Sequence, residues 1–560
     1  MRSKNVYNVS LKLALLSMIV LLMLTFITAK HIDIIELPNA ELYPFYYFLM
    51  QPITIWIIIP LAVFLIMFSS RPFYRLIAIL SLAFIIEFLP SFMMINPWLP
   101  DQYPYLSEAY WIYLHGNISD VHYLSVVPGL GLTYGIFEIL TDLDPFAISK
   151  AFSFIQAFIF VIMLSSLSKR LTKNKSLLPL LFLSFNYFAQ INVFHRATLH
   201  FTYALTFLYI ILSIINEQHF EWRQIIVLST VFSAMVLTYP GSGYMLITII
   251  GAYMLLFIIR KALTSSIKLL ILVLSTIFGI WYCYTAWSEI RVAGSILNSL
   301  MEVLRLGLRV EESMVHPFST GLTPLFKTLV YVRLIIEGGV IAVGLLIALY
   351  MYILALISRL KGKNSDIPPV YTLMLASLIA PAPWLLTEWS RWSFYKFSMY
   401  FLLLSLITVL YHSHQHHPRR RIMFFLVKIL IIIIITSALA LVPLLRYASI
   451  PYLNITTSEL SSVSFIHRHF MFNLNCYYLE YPPYISMLVH GKITHEVSSM
   501  YWFENLSKGL YVITSRALIR DGFYTYPQPL QIRLKELESF ISVQGEKVYD
   551  NGYNRAYYLR

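Results

Sequence analysis

The stretch NPWLPDQYPYLSEAYWIYLHGNISDVHYLSVVPGLG, residues 96–131, interrupts a chain that is otherwise a succession of apolar blocks. Residues 97–145 contain no Lys or Arg and hold Asp101, Glu108, Asp120, Glu138, Asp142 and Asp144. On both sides of it the apolar blocks run for roughly 17 to 25 residues, the length of helix that crosses a hydrocarbon core about 30 Å thick. Of the 560 residues, 58% are hydrophobic and 12% are charged. Soluble domains carry about 25% charged residues, so a water-soluble globular protein is excluded. The fold class is therefore mainly α, a polytopic bundle of about thirteen transmembrane helices. The expected spans are 9–29, 52–69, 75–96, 146–167, 176–192, 200–216, 224–240, 243–259, 267–287, 333–357, 368–387, 397–411 and 422–444.

Charge sets the orientation. A net charge of +13 is compatible with a nucleic-acid footprint, but the basic residues lie mostly in short loops: RPFYR (71–75), SKRLTKNK (168–175), RKALTSSIK (260–268), SRLKGKNSD (358–366) and HSHQHHPRRR (412–421). That pattern places those loops and the N-terminus in the cytoplasm, and it predicts no nucleic-acid partner. The first block is too long for a signal-peptide core and no small-x-small cleavage site precedes the next segment, so it is expected to stay as a span. The acidic segment 97–145 then lies outside, as do the sequons at Asn117, Asn454 and Asn505. Residues 1–445 are expected to form the membrane module and 446–560 a small extracytoplasmic α/β domain. In that tail, helix-like EVSSMYWFENL (496–506) and LQIRLKELESFIS (530–542) alternate with strand-like LYVITSRA (510–517) and KVYDNGYNRAYYL (547–559). The two cysteines, Cys283 and Cys476, make neither a disulfide framework nor a metal site. The histidines of 412–417 lack an accompanying carboxylate or Cys and read as a solvated juxtamembrane loop.

Chemistry is expected at the outer face. Pro97 and Pro100 end the third span and a short juxtamembrane helix starts near Asp101, to be ended by Gly116. Asp101, Tyr105, Glu108 and Ile112 recur at helical spacing, so two carboxylates and a phenol share one face. A helix cap is the plain structural role for Asp101. TEWSRWSFYKF (387–397) sets Arg391 and Lys396 among Trp389, Trp392 and Tyr395. It is either a holder of a lipid phosphate or an aromatic belt with snorkelling cations. FHRATLHF (194–201) puts His195, Arg196 and His200 at an outer span end, where interfacial polar residues are the simplest reading. Glu87 and Lys428 fall inside apolar blocks, where a charge is costly and is usually paired or functional. Glu337-Gly338-Gly339 either lines a cavity or loosens helix packing, and YPGSGY (239–244) reads as a structural turn.

One pattern carries a family resemblance. The run Asp101-x3-Tyr105-x3-Ala109-x2-Ile112-x3-Gly116, followed by HYLSVVPGLGLTYGIFEILTDLDPFAISKAFSFIQAFIFVIMLSSLSKRL (122–171), resembles the start of GT-C superfamily glycosyltransferases. It is most similar to the uncharacterised, mostly archaeal membrane proteins of that class, and KVYDNGYNRAYYL is similar to their C-terminal strand. The resemblance covers the first external loop, the span count and the outer tail. Asp101 is followed by Gln102 and Tyr103 where some members carry a second acidic residue, and about three spans precede it, two more than usual. The resemblance implies an enzyme of the cell membrane that takes a sugar from a polyprenyl (dolichyl) phosphate and passes it to a glycan, lipid or protein outside the cell. It makes Asp101 the catalytic base. A leaving phosphate needs cations, so Arg391 and Lys396 would hold it, with Arg196 and Arg333 the other cations near outer span ends. Tyr105, Glu108 and His122 would shape the sugar or acceptor site. Asp101 and Glu108 suit Mg²⁺ or Mn²⁺ as well as metal-free chemistry, and the sequence leaves that cofactor open. The rival readings are a glycan polymerase or ligase working through Arg291, Arg305 and Arg309, a lipid or solute transporter, and a receptor-like scaffold.

Overall fold

The computed structural model describes residues 2–29, 52–93, 102–116, 129–172, 175–185, 196–217, 222–239, 242–260, 265–284, 324–362, 367–380, 390–415, 434–441, 476–478, 509–514, 546–550 and 554–559. The helices are α1 (Arg2–Thr28), α2 (Thr54–Phe68), α3 (Pro72–Ala83), α4 (Leu89–Met93), α5 (Gln102–His115), α6 (Gly129–Thr141), α7 (Pro145–Thr172) and α8 (Leu177–Phe185). They continue as α9 (Arg196–Glu217), α10 (Trp222–Thr238), α11 (Ser242–Arg260), α12 (Ser265–Tyr284), α13 (Pro324–Leu360), α14 (Pro369–Ile379) and α15 (Ser390–Gln415). Residues 434–441 add a further helical segment. Among the described residues, four helices are long and apolar enough to cross a membrane, at Val9–Thr28, Ala147–Leu171, Ser242–Ile259 and Tyr331–Leu360. Shorter apolar helices lie at Thr54–Phe68, Gly129–Thr141, Thr198–Leu212, Trp222–Thr238, Ile267–Trp281 and Pro369–Leu378.

Local chemistry explains several boundaries. Ser69 ends α2 in an extended conformation, and Pro72 opens α3 at a position where its missing N–H costs nothing. Between them Ser69 Oγ accepts the Arg71 N–H at 3.1 Å, which ties the basic turn to the helix end. After α3 the chain passes through a π-helical turn, Phe84–Phe88, before α4. Pro90 lies just beyond and has no N–H to give the carbonyl four residues back, so the turn widens there and the Leu89 N–H reaches Phe84 O. Glu87, in this turn, is buried. Lys428, which the sequence offered as its partner, lies outside the described residues.

The apolar side chains form two clusters. One joins α1–α4 and the π turn to Val161, Leu180, Leu183, Ile435 and Leu439. The other is built from α7–α15. The helices that precede Asp101 in the sequence thus pack with one another and against parts of α7, α8 and 434–441, in a cluster distinct from the larger one. Outward faces such as Leu13, Leu16, Met23, Leu269, Leu272, Leu346 and Tyr350 stay exposed, as expected for helices bathed in lipid.

The helix directions fix one end of the bundle. α10 runs back along α9, with Tyr239 against His200 and Phe232 against Phe207. A tight turn, Ser242 N–H to Tyr239 O at 3.2 Å, sends α11 out parallel to α9. Tyr244 then meets Tyr400 and Phe401, Ser405 donates to Val340 O, and Tyr352 donates to Leu255 O, so α11, α13 and α15 also run together. Tyr371 at the start of α14 meets Tyr411 and His412 at the end of α15, so α14 runs the other way. The starts of α9, α11, α13 and α15 and the ends of α8, α10 and α14 therefore share one end of the bundle.

In the tail, β1 (Cys476–Tyr478), β2 (Gly509–Thr514), β3 (Glu546–Asp550) and β4 (Asn554–Leu559) form a sheet of order β1-β2-β4-β3. β1 is parallel to β2, whereas β4 is antiparallel to β2, from Gly509 opposite Leu559 to Thr514 opposite Asn554, and to β3. The single strand-like run 547–559 is thus two strands; its Asn-Gly pair at 551–552 is the commonest signal for a tight reversal. The helix-like runs 496–506 and 530–542 lie outside the described residues.

Candidate functional site

The acidic helix comes first. α5 begins at Gln102, the residue after Asp101, and stops where the Gly116 N–H closes on Ile112 O at 2.8 Å with a φ of 68°, a conformation that suits glycine. Tyr105, Glu108 and Ile112 lie on one face, and that face is buried, with Glu108 2% exposed. Its cover is α6. A Cβ on Gly131 would stand 2.8 Å from Glu108 Cγ, and one on Gly135 would stand 2.8 Å from Ile112, so the two helix backbones approach as closely as glycine permits. Tyr105 and Glu108 are consequently inside a helix–helix contact rather than on an open surface.

α6 carries a second buried carboxylate. Glu138, 2% exposed, extends the buried stripe Leu130, Gly131, Tyr134 and Gly135 by a further turn. Burial first, and then the charges of Asp144 and Asp142, push its carboxyl up to about 8. The neighbouring Tyr113 hydroxyl donates to Asp142 at 2.7 Å, and that carboxylate raises the phenol above its usual range.

From α6 a polar layer crosses the bundle. Tyr134 bonds Gln156 on α7, and the Thr202 hydroxyl on α9 donates to Gln156 Oε1 at 2.6 Å. Two residues earlier His200 shares a hydrogen bond through Nδ1 with the Tyr400 hydroxyl of α15. His200 is 0% exposed, its ring stands edge-on to Tyr239, and its Nε2 has no hydrogen-bond partner among the described residues. Gly129 places the start of α6 against Leu237 and Thr238 at the end of α10, so the acidic helix pair sits at the same end of the bundle as this layer. His200, read from the sequence as an interfacial polar residue, is instead an interior one. Position alone suggested the membrane surface; the rings of Tyr239, at the end of α10, and Tyr400, on α15, stand edge-on to it.

Arg333 also belongs here, and it is engaged in structure. Fully buried, it donates from Nη1 to Ser184 O at 2.7 Å and to Ala438 O at 3.1 Å. Ser184 lies in the last turn of α8, where carbonyls lack helical partners and a cation is favoured. Glu337, one turn along, is buried too, while a Cβ at Gly338 or Gly339 would meet nothing within 4 Å, so neither glycine serves a close helix contact among the described residues. Tyr239 and Tyr244 of the YPGSGY turn are buried, in keeping with a structural role.

The remaining expected site residues divide simply. Asp101 and His122 lie outside the described residues. Arg196 is the first residue of α9, and Arg391 and Lys396 fall in the first turns of α15, so all three backbone positions are at the end of the bundle that holds α5 and α6. Among the described residues, no group of three or more His, Cys, Asp or Glu is placed to hold a metal ion.

No family model matches the sequence, and no curated protein does. Among solved structures, the chain is similar to the archaeal oligosaccharyltransferase AglB from Archaeoglobus fulgidus, in complex with an inhibitory peptide and a dolichol-phosphate. The TM-score is 0.50 at 12% identity, over 82% of this chain and 72% of that one. A second structure of the Archaeoglobus fulgidus oligosaccharyltransferase, tethered to an acceptor peptide containing the NVT sequon, gives a TM-score of 0.49 at 11% identity, over 87% and 74%. The first likeness is one of fold: the chain shares its overall architecture with that oligosaccharyltransferase.

Proposed function

We propose that the chain is a multi-pass glycosyltransferase of the cell membrane, moving a sugar from a polyprenyl (dolichyl) phosphate to a glycan, lipid or protein acceptor on the outer face. In this reading residues 1–445 are the catalytic module, with about thirteen spans and a cytoplasmic N-terminus, and 446–560 form an extracytoplasmic domain. The observation that carries it is that the carboxylate-bearing pair α5–α6 and the cation-bearing starts of α9 and α15 share one end of the bundle. That arrangement supports a reading in which a base works beside a phosphate holder. The architecture shared with an oligosaccharyltransferase that binds dolichol-phosphate agrees with it.

The chemistry is an inverting displacement. The Asp101 carboxylate takes the proton of the acceptor hydroxyl as its oxygen bonds to C1 of the sugar. The bond from C1 to the phosphate oxygen breaks, and polyprenyl phosphate leaves with the electron pair. A phosphate leaves without being protonated, so one carboxylate is enough. Arg196, Arg391 and Lys396 hold the phosphate through charge-assisted hydrogen bonds. Tyr105, Glu108 and His122 belong to the sugar and acceptor side, with buried Glu108 anchoring the helix that Asp101 precedes. The hard carboxylate oxygens of Asp101 suit Mg²⁺ or Mn²⁺, and such an ion would supply further positive charge for the phosphate, whereas Glu108 is closed in under α6.

The test is transfer of a radiolabelled sugar from a short polyprenyl phosphate in membranes containing the full chain. Asp101→Asn is expected to lower transfer by at least about 100-fold, the usual contribution of a general base. Full activity in Asp101→Asn would remove Asp101 from this role.

A further inference from the structure

The turn between α2 and α3, SSRPFYR (69–75), carries two arginines whose side chains are both braced by the turn itself. Arg75 Nε donates to Ser69 O, and the Arg75 N–H reaches back to Arg71 O at 3.4 Å. Arg71 Nη1 donates to the Tyr74 hydroxyl at 3.2 Å, and its guanidinium lies over the Tyr74 ring, 5.3 Å from the centroid. Tyr74 is buried in the cluster of α1–α4, so that brace rests on packed side chains. Two like charges are thereby held on one short turn. They stand at the start of α3, where the first N–H groups of a helix add partial positive charge.

No carboxylate of the neighbouring helices offsets that charge. α1, α2, α3, α7 and α8 contain no Asp or Glu, and the first acidic residue after the turn, Glu87, sits on the π turn beyond the far end of α3. The same end gains further cations from α7. Phe88, on the π turn, meets Phe154 early in α7, and Val161 packs lower in the cluster, so α7 runs back towards the α2–α3 turn and ends in Lys169 and Arg170. Two neighbouring cations repel, and an anion between them turns the repulsion into two attractive contacts. The surroundings say which anion. Phe68 at the end of α2 and Phe73 and Leu76 at the start of α3 are exposed, Phe73 at 62%. A free anion or an acidic peptide would leave these apolar groups uncovered, whereas a lipid matches them and the cations together.

We propose that the α2–α3 turn is a binding site for an anionic phospholipid, with Arg71 and Arg75 on the headgroup phosphate and the acyl chains against Phe68, Phe73 and Leu76. The contacts to the phosphate are charge-assisted hydrogen bonds, made by guanidinium groups already held in place. α7 starts beside α6, where Tyr134 meets Phe152, so the turn at its other end lies away from α5 and α6. The lipid site therefore has no part in the transfer reaction proposed above, and it stands or falls separately. A lipid seated there ties the first cluster of helices to one leaflet.

The experiment is native mass spectrometry of the purified full chain released from detergent, titrated with phosphatidylglycerol and, separately, with phosphatidylcholine of the same chain length. The wild type is expected to retain phosphatidylglycerol in clear preference to phosphatidylcholine. Each arginine contributes about fivefold, so Arg71→Gln/Arg75→Gln should weaken phosphatidylglycerol binding by about 25-fold. Lys268→Gln removes a charge from an exposed position on α12, outside this cluster, and should bind as the wild type does. The double variant should melt in detergent alone where the wild type melts. If it melts lower, Arg71→Gln by itself, which leaves the Arg75 bond to Ser69 in place, repeats the test with a fivefold loss expected. Wild-type retention by the arginine variants would overturn the site. So would a loss in Lys268→Gln as large as that in Arg71→Gln, which would mark a response to net charge alone. Equal retention of phosphatidylcholine would remove the selectivity for an anionic headgroup, and displacement of the lipid by an equal concentration of inorganic phosphate would assign the turn to a free anion; either result overturns the proposal.

Discussion

Glu138 offers a prediction with a definite sign. Its carboxyl sits near 4.5 in the unfolded chain and is pushed up to about 8 in the fold, by burial between helices and by the charges of Asp144 and Asp142. Between those two values the unfolded chain releases a proton that the folded chain keeps. Stability is therefore highest below the lower value, falls as pH rises through the window, and levels off above the upper one. A displacement of that size corresponds to at most about 5 kcal/mol of linked free energy. Asp142 and Asp144 are exposed, and solvent screens their share, which leaves about 3 kcal/mol. Glu138→Gln has the same shape and cannot ionise. Thermal unfolding of the purified chain in detergent, followed by intrinsic fluorescence at pH 5.0 and 8.5, reads the difference. With an unfolding entropy scaled to this length, the variant should melt about 2–3 °C above wild type at pH 8.5 and within about 1 °C of it at pH 5.0. An equal gain at both pH values, or a loss at pH 8.5, would refute the buried-carboxyl account.

Two further substitutions probe the packing around the site. Arg333→Met keeps most of the volume and strips two carbonyls of their donor; it should lower stability by about 3 kcal/mol, seen as a lower melting temperature and poorer yield after solubilisation, and a variant as stable as wild type would deny the bonds to Ser184 and Ala438. Gly344→Ala would place a Cβ 2.7 Å from Ser405 Cβ and force α13 off α15, costing about 2 kcal/mol or more, whereas Gly338→Ala, with open space around it, should be neutral or slightly stabilising in the same melting assay.

What could be read from the sequence was what repeats locally. The stop at Gly116 and the face shared by Tyr105, Glu108 and Ile112 follow from spacing within one helix, and the structure has both. The apolar blocks that fall on described residues are helical for the same reason. What was illegible depended on partners far along the chain. Arg333 looked like a cation at an outer span end, and only the folding of residues 149 and 105 positions away turns it into a cap for two carbonyls. Glu138 stood in GIFEIL as an acid among several, and nothing local distinguishes it from exposed Asp142. Gly131 and Gly135, which bury Glu108, gave a faint signal: glycines four apart in an apolar run are a known means of close helix approach. His200 had no signal in the sequence beyond its polarity, since Tyr400 comes 200 residues later.

The cluster that gathers α1–α4 has a consequence for how the chain is made. Its residues come from the first hundred positions, except for Val161, Leu180 and Leu183, and finally Ile435 and Leu439. A chain delivered to the membrane from its N-terminus therefore releases α1–α4 with part of their packing surface facing lipid, and holds them so while more than three hundred further residues are synthesised. At a synthesis rate of about 5–20 residues per second that interval lasts on the order of 20–60 seconds. The cluster around the first helices is thus completed late, when Ile435 and Leu439 of the segment 434–441 pack into it.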